Sequence, residues 1–200
     1  MTLIVNLFGG PGTGKSTTAA GLFCELKQEG VNCELVTEYA KDRVWDSHLA
    51  CLDDQLYVFG KQYHRIHRLL DKVEVIVTDA PIILSAYYGA NNTPDSFKQL
   101  VLDIHSGLTN YNVFLQRVKE YNPSGRLQTE EGAKVIDVEL KKLLEKHHIA
   151  YADRVANRDA PRIICKDVLM ILGRTKPRSE WIDFVEEQQP KWVDFGTEKL

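Results

Sequence analysis

The segment Gly9-Gly10-Pro11-Gly12-Thr13-Gly14-Lys15-Ser16 constrains this chain more than any other. It has the form G-x-x-x-x-G-K-[ST] and lies between an apolar run, Leu3–Phe8 (LIVNLF), and a segment with helical spacing, Lys15–Gln28. Glycines allow a tight turn whose backbone N–H groups face inward on phosphate oxygens. The helix that follows turns its positive dipole end on the same anion. In such a loop the lysine reaches the β- and γ-phosphates and the hydroxyl residue meets Mg²⁺. The pattern therefore predicts an ATP site built from Gly10, Gly12, Thr13, Gly14, Lys15, Ser16 and Thr17, with Mg²⁺ beside Ser16.

The rest of the chain is read outward from that loop. Two hundred residues, 44% of them hydrophobic, suffice for one sheet covered on both faces but not for a second full domain. Apolar runs suggest strands at 3–8, 33–37, 73–78, 112–116 and 149–152. Helical spacing appears at 15–28, 53–70, 96–105, 130–147 and 159–172, with Leu56, Phe59, Tyr63, Ile66 and Leu70 marking the second of these. Strands alternating with helices predict an α/β, three-layer P-loop NTPase fold with a mainly parallel five-stranded sheet. The domain is expected over residues 1–172, with a tail at 173–200 packed onto it by Trp181 and Trp192.

Composition excludes some roles. A net charge of −3 argues against a generally basic nucleic-acid coat, while leaving room for a local basic groove. Cys24, Cys33, Cys51 and Cys165 are scattered without a C-x-x-C pair, as expected of reduced thiols in an intracellular protein. No apolar run approaches the roughly 20 residues of a membrane span, and residues 1–8 are too short for a signal peptide. The expectation is a soluble, cytoplasmic protein without a membrane partner.

Three further positions carry chemistry. Asp79 ends the apolar run V-I-V-T-D, where an acid can hold a metal or its waters at the carboxyl edge of a parallel sheet. Its competing role is a cap on a helix that starts near Pro81. Glu38 follows the second strand and can take a proton from an attacking hydroxyl; again a helix cap is the alternative. Arg117, Lys119 and Arg126 lie in the polar loop R-V-K-E-Y-N-P-S-G-R-L-Q-T-E-E, a candidate arginine-bearing lid over the γ-phosphate, or else a solvated surface loop. Arg117 is assigned to the nucleotide, and Lys15, Glu38, Asp79 and Arg126 to the transfer step.

A GTPase should carry D-x-x-G after the third strand, but Ala80-Pro81-Ile82 follows Asp79 here, and no N-K-x-D guanine reader occurs. The stretches G-G-P-G-T-G-K-S-T, V-T-E-Y-A-K-D-R-V-W, V-I-V-T-D-A-P and the lid together resemble small P-loop kinases of the nucleoside and thymidylate-kinase type. They are also similar to kinase domains that phosphorylate nicotinamide riboside, and most similar to phage-type 5-hydroxymethyluracil DNA kinases. The resemblance implies an ATP- and Mg²⁺-dependent kinase acting in thymidine hypermodification, in the host cytoplasm if phage-encoded. It also implies Glu38 as base or acceptor ligand, Asp79 as the acid after the third strand and Arg126 as lid arginine. Ala80 departs from the arginine that deoxynucleoside kinases place there, which removes one contact expected for a free nucleoside.

The expected partner is hydroxymethylated DNA or a nucleoside-type small molecule, with self-association left open. Lys61, Arg65, Arg68 and Lys72 fall at helical spacing beside His64, as a stripe for a phosphate backbone or as a solvated face. Tyr39, Trp45, Tyr87 and Tyr88 are candidates to stack on an acceptor ring, and 154–159 to contact the nucleotide base. A non-catalytic ATP-dependent regulator is the remaining alternative.

Overall fold

In Leu3–Phe8 every residue is buried, because the strand is covered on both sides. Leu3, Val5 and Leu7 face one apolar cluster, while Ile4 and Phe8 face two others. This is the signature of a central parallel strand. The computed structural model describes residues 1–89, 91–118 and 129–174. Among them the strands are β1 (Leu3–Phe8), β2 (Cys33–Val36), β3 (Val75–Thr78), β4 (Thr109–Gln116) and β5 (Ala152–Val155). The helices are α1 (Lys15–Gln28), α2 (Tyr39–Trp45), α3 (Gln55–His67), α4 (Leu84–Tyr88), α5 (Asp95–Ser106), α6 (Glu130–Lys146) and α7 (Ala160–Ile171). All neighbouring strands are parallel, in the order β2-β3-β1-β4-β5.

Helices α1 and α7 cover one face through Leu22, Leu26, Ile164 and Val168. The other face is covered by α3, α4 and α5 around Phe59, Ile66, Ala86, Phe97 and Val101, and by α6 around Ile136, Leu140 and Leu144. The three layers follow from this division. With β1 central, the carboxyl ends of β2, β3, β1 and β4 open side by side, and ligands of open α/β sheets bind at such an edge.

Several boundaries differ from the sequence reading, each for a local reason. The helix expected over 53–70 is shorter: Asp54 caps it by accepting from Tyr57 N–H at 3.0 Å, and it ends at His67. Asp71 then turns the chain at φ 60°. Lys72 therefore lies off the helix, and the four-residue basic stripe is not one helical face. Strand β4 begins three residues before the expected 112, because Asn110 and Asn112 both accept from Asn6 Nδ2, at 2.9 and 3.0 Å. Strand β5 is at Ala152–Val155 rather than 149–152, since Ile149 and Tyr151 pack into the cluster under α6. The tail tryptophans Trp181 and Trp192 lie outside the described residues; Arg174, at the tail's start, is held by Glu74 at 2.5 Å.

Candidate active site

The turn between β1 and α1 uses left-handed backbone at Gly9 (φ 139°), Gly12 (φ 81°) and Gly14 (φ 100°). Gly14 is the N-cap of α1 and no side chain caps that helix, so its first N–H groups face outward for a ligand. Thr13 is turned inward: its Oγ1 donates to Gly10 O at 2.8 Å and it is buried, so it staples the loop. Lys15 Nζ curls over the loop and donates to Gly9 O at 2.6 Å and Gly10 O at 3.1 Å. Burial holds its pKa below the usual lysine value, while Glu38, Asp79 and Asp137 pull the other way. A polyphosphate between the lysine and the bare helix end would meet both its charge and its N–H groups.

Asp79 sits one residue past β3, 3% exposed, and its Oδ2 accepts from Ser16 Oγ at 2.6 Å. Its Oδ1 is buried without a partner. The helix-cap alternative fails, because α4 begins only at Leu84 with Ile83 at its N-cap. An orphaned carboxylate oxygen beside a serine hydroxyl fits Mg²⁺, which takes few protein ligands and keeps waters and phosphate oxygens. Among the described residues no group of three or more His, Cys, Asp or Glu side chains is placed to hold a metal.

Glu38 stands at the N-cap position of α2 but makes no side-chain cap bond. Its carboxyl instead faces Lys15 and Asp79. Desolvation raises its pKa above the ordinary value, Lys15 lowers it and Asp79 raises it further. These groups line one cleft of about 470 Å³. Its far wall comes from α2 (Ala40, Val44, Trp45), the 3₁₀ turn Leu49–Leu52, α3 (Gln55, Val58, Gln62) and α4 (Leu84, Ser85, Tyr88). Gln62 is spent on structure, accepting from Tyr39 N–H at 2.9 Å. Burial pushes the Tyr88 phenol up to about 12, so it remains a donor at neutral pH.

The structure separates the other candidates. Trp45 and Tyr88 line the cleft, whereas Tyr39 is buried against Tyr57, and Tyr87 donates to Glu139. Arg117 bonds Asp137 at 2.9 Å and the Pro11 carbonyl at 2.8 Å. Arg126 and Lys119 lie outside the described residues. Of the basic stripe, Arg65 is taken by Asp42 at 2.5 Å and Lys61 lies over the Tyr57 ring. In the 154–159 segment Arg154 is bound to Asp167 at 2.8 Å, and Ala156 sits beside Gly14. Sequence reasoning missed Asp137, whose Oδ1 accepts from Gly10 N–H. It is one polar residue among many on α6, and no local signal marks it.

A family model described as an AAA domain matches residues 4–158. No curated protein matches the chain significantly. Among solved structures, one titled as NadR protein in complex with NR superposes with a TM-score of 0.63 at 15% identity, over 86% of this chain and 52% of that one. The chain thus spans about half the length of the NadR chain, and at this identity the likeness speaks for the fold.

Proposed function

The chain belongs to the AAA-domain family, and from that premise we propose that it is an ATP- and Mg²⁺-dependent kinase for a hydroxyl on a nucleoside-type acceptor. The observation that carries this reading is the convergence of Lys15, Ser16–Asp79 and Glu38 on the phosphate end of a cleft whose other end is walled by Trp45, Val58, Leu84 and Tyr88. A hydrolase or switch needs the first end only. A roughly 470 Å³ cleft suits one nucleoside-sized molecule.

In the transfer step the acceptor oxygen attacks the γ-phosphorus, the bond to the β,γ-bridging oxygen breaks, and ADP leaves. Glu38 takes the hydroxyl proton, and its raised pKa makes it a better base than an ordinary carboxylate. Lys15 balances charge on the β- and γ-oxygens, and the open N–H groups of α1 fix their positions. Mg²⁺, when bound, supplies neutralisation of the phosphate charge. Ser16 and Asp79 would hold it, and an acceptor seated between Trp45, Val58 and Leu84 displaces the water that would otherwise compete with it.

The finer acceptor we propose is the 5-hydroxymethyl group of 5-hydroxymethyluracil in DNA, on the resemblance of the motifs to such kinases. The base would leave the stack to enter the cleft, as bases do for enzymes that act on them. A free nucleoside such as nicotinamide riboside is the second reading. It is favoured by the nucleoside-sized cleft and by the interrupted basic stripe.

The test presents the protein with γ-labelled ATP, Mg²⁺, a duplex containing 5-hydroxymethyluracil, an unmodified duplex and a nucleoside pool. Label in the modified duplex alone supports the DNA acceptor, and label in the pool alone replaces it with the small molecule. Tight ATP binding without label anywhere would overturn the kinase reading in favour of a regulator.

A further inference from the structure

Four of residues 9–14 are glycine, so the phosphate loop has much backbone entropy to lose when it closes on a ligand. Something outside it must hold it ready. Thr13 and Lys15 tie the loop only to itself. From outside, among the described residues, two side chains reach its first half. Asp137, on α6, accepts the Gly10 N–H through Oδ1. Arg117, the first residue after β4, donates from Nη1 to the Pro11 carbonyl at 2.8 Å. The two are joined to each other, with Arg117 Nε and Nη2 on Asp137 Oδ2 at 3.3 and 2.9 Å. Their side chains are only 10% and 20% exposed.

We propose that Arg117 and Asp137 form a positioning pair that holds residues 10 and 11 in the ATP-binding shape, and that Arg117 acts through Asp137 rather than on the phosphates. The proposal rests on the loop binding ATP. The peptide groups on either side of the Gly10–Pro11 pair, one through its donor and one through its acceptor, are gripped by one ion pair, which fixes the planes of both. The guanidinium has its Nε–Nη2 edge on a carboxylate that is itself held by a backbone donor. Swinging it to a phosphate would strand that largely buried carboxylate against Gly10, a costly state for a charge. Helix α6 also meets the loop directly, since a Cβ on Gly10 would stand 2.4 Å from the Ala133 carbonyl. The grip is therefore seated on packed backbone. Preorganisation of this kind shows up in ligand affinity.

The experiment is a double-mutant cycle on Mg-ATP affinity in the full chain, by calorimetry, with wild type, Arg117→Ala, Asp137→Ala and the double variant. Each single variant should weaken ATP by about 10- to 100-fold, and the double variant no more than the worse single. At saturating ATP the turnover should stay within about threefold of wild type, since a positioning loss appears in KM. Unchanged affinity in Asp137→Ala beside a loss in Arg117→Ala, or additive losses, would overturn the pair and make Arg117 a direct phosphate ligand. If Asp137→Ala does not fold, Asp137→Asn replaces it, keeping the shape and an acceptor for Gly10 while removing the charge. Its affinity should fall between wild type and Arg117→Ala, and wild-type affinity there would also overturn the pair. A wild-type chain that binds no ATP would sink the nucleotide reading itself, and this proposal with it.

Discussion

At the scale of single residues, Glu38 separates chemistry from stability. Burial beside Asp79 raises its pKa, with Lys15 opposing. A carboxyl whose pKa is higher in the folded than in the unfolded chain lends stability below its ordinary value of 4.5, and that stability is lost as pH rises through the raised value. Glu38→Gln, always neutral, should therefore melt higher than wild type at pH 8 and show no such gain at pH 4. Its turnover should fall by about 10²- to 10⁴-fold with ATP affinity kept, because only the proton acceptor is gone. Thermal melts at the two pH values, beside single-turnover transfer, check both halves. A variant that is inactive and also less stable at pH 8 would mean Glu38 is a structural partner. Asp79→Asn tests the metal role: it retains an acceptor for Ser16 but not the charge. The Mg²⁺ concentration for half-maximal activity should rise by about 10- to 100-fold.

At the scale of elements, glycines make opposite predictions depending on what lies beside them. Gly10 backs onto α6, and an added methyl meets the Ala133 carbonyl at 2.4 Å. Gly10→Ala should cost about 1–3 kcal/mol of stability and displace the loop, weakening ATP. Gly60, inside α3, has nothing within 4 Å of such a methyl. Gly60→Ala should stabilise by about 0.5–1 kcal/mol without touching activity, through helix propensity and a less flexible unfolded chain. Denaturant midpoints of the two variants read both signs. The same contrast shows what the sequence made legible. The loop, β1, α1 and the acid after β3 were readable because each is specified by neighbours along the chain. The start of β4 was not, because its polar Asn110 is paired to Asn6 from a strand 104 residues away. Asp137 was not, because its partner Gly10 is 127 residues distant. The short helix α4 was legible only as a helix starting near Pro81 that Asp79 could cap; it begins at Leu84 instead, with Ser85 and Ala86 buried.

At the scale of the whole molecule, charge decides how a DNA acceptor could be held. The chain carries −3 overall, so any attraction to a phosphate backbone must come from local cations. The sequence offered four on one helix. The structure leaves Lys61 and Arg68 exposed on or at the end of α3, while Arg65 is neutralised by Asp42 and Lys72 lies beyond the helix. Two phosphate contacts imply that log affinity falls with log salt at a slope of about −2. Duplex affinity should then drop only about tenfold between roughly 50 and 200 mM salt, whereas four contacts would cost more than a hundredfold. Lys61→Ala with Arg68→Ala should flatten the remaining dependence and leave transfer to a free nucleoside unchanged, since neither residue lines the cleft. A steep slope that survives the double variant would move the DNA track off α3. A flat one in wild type, with full activity on a small nucleoside, would leave the cleft alone to select the acceptor.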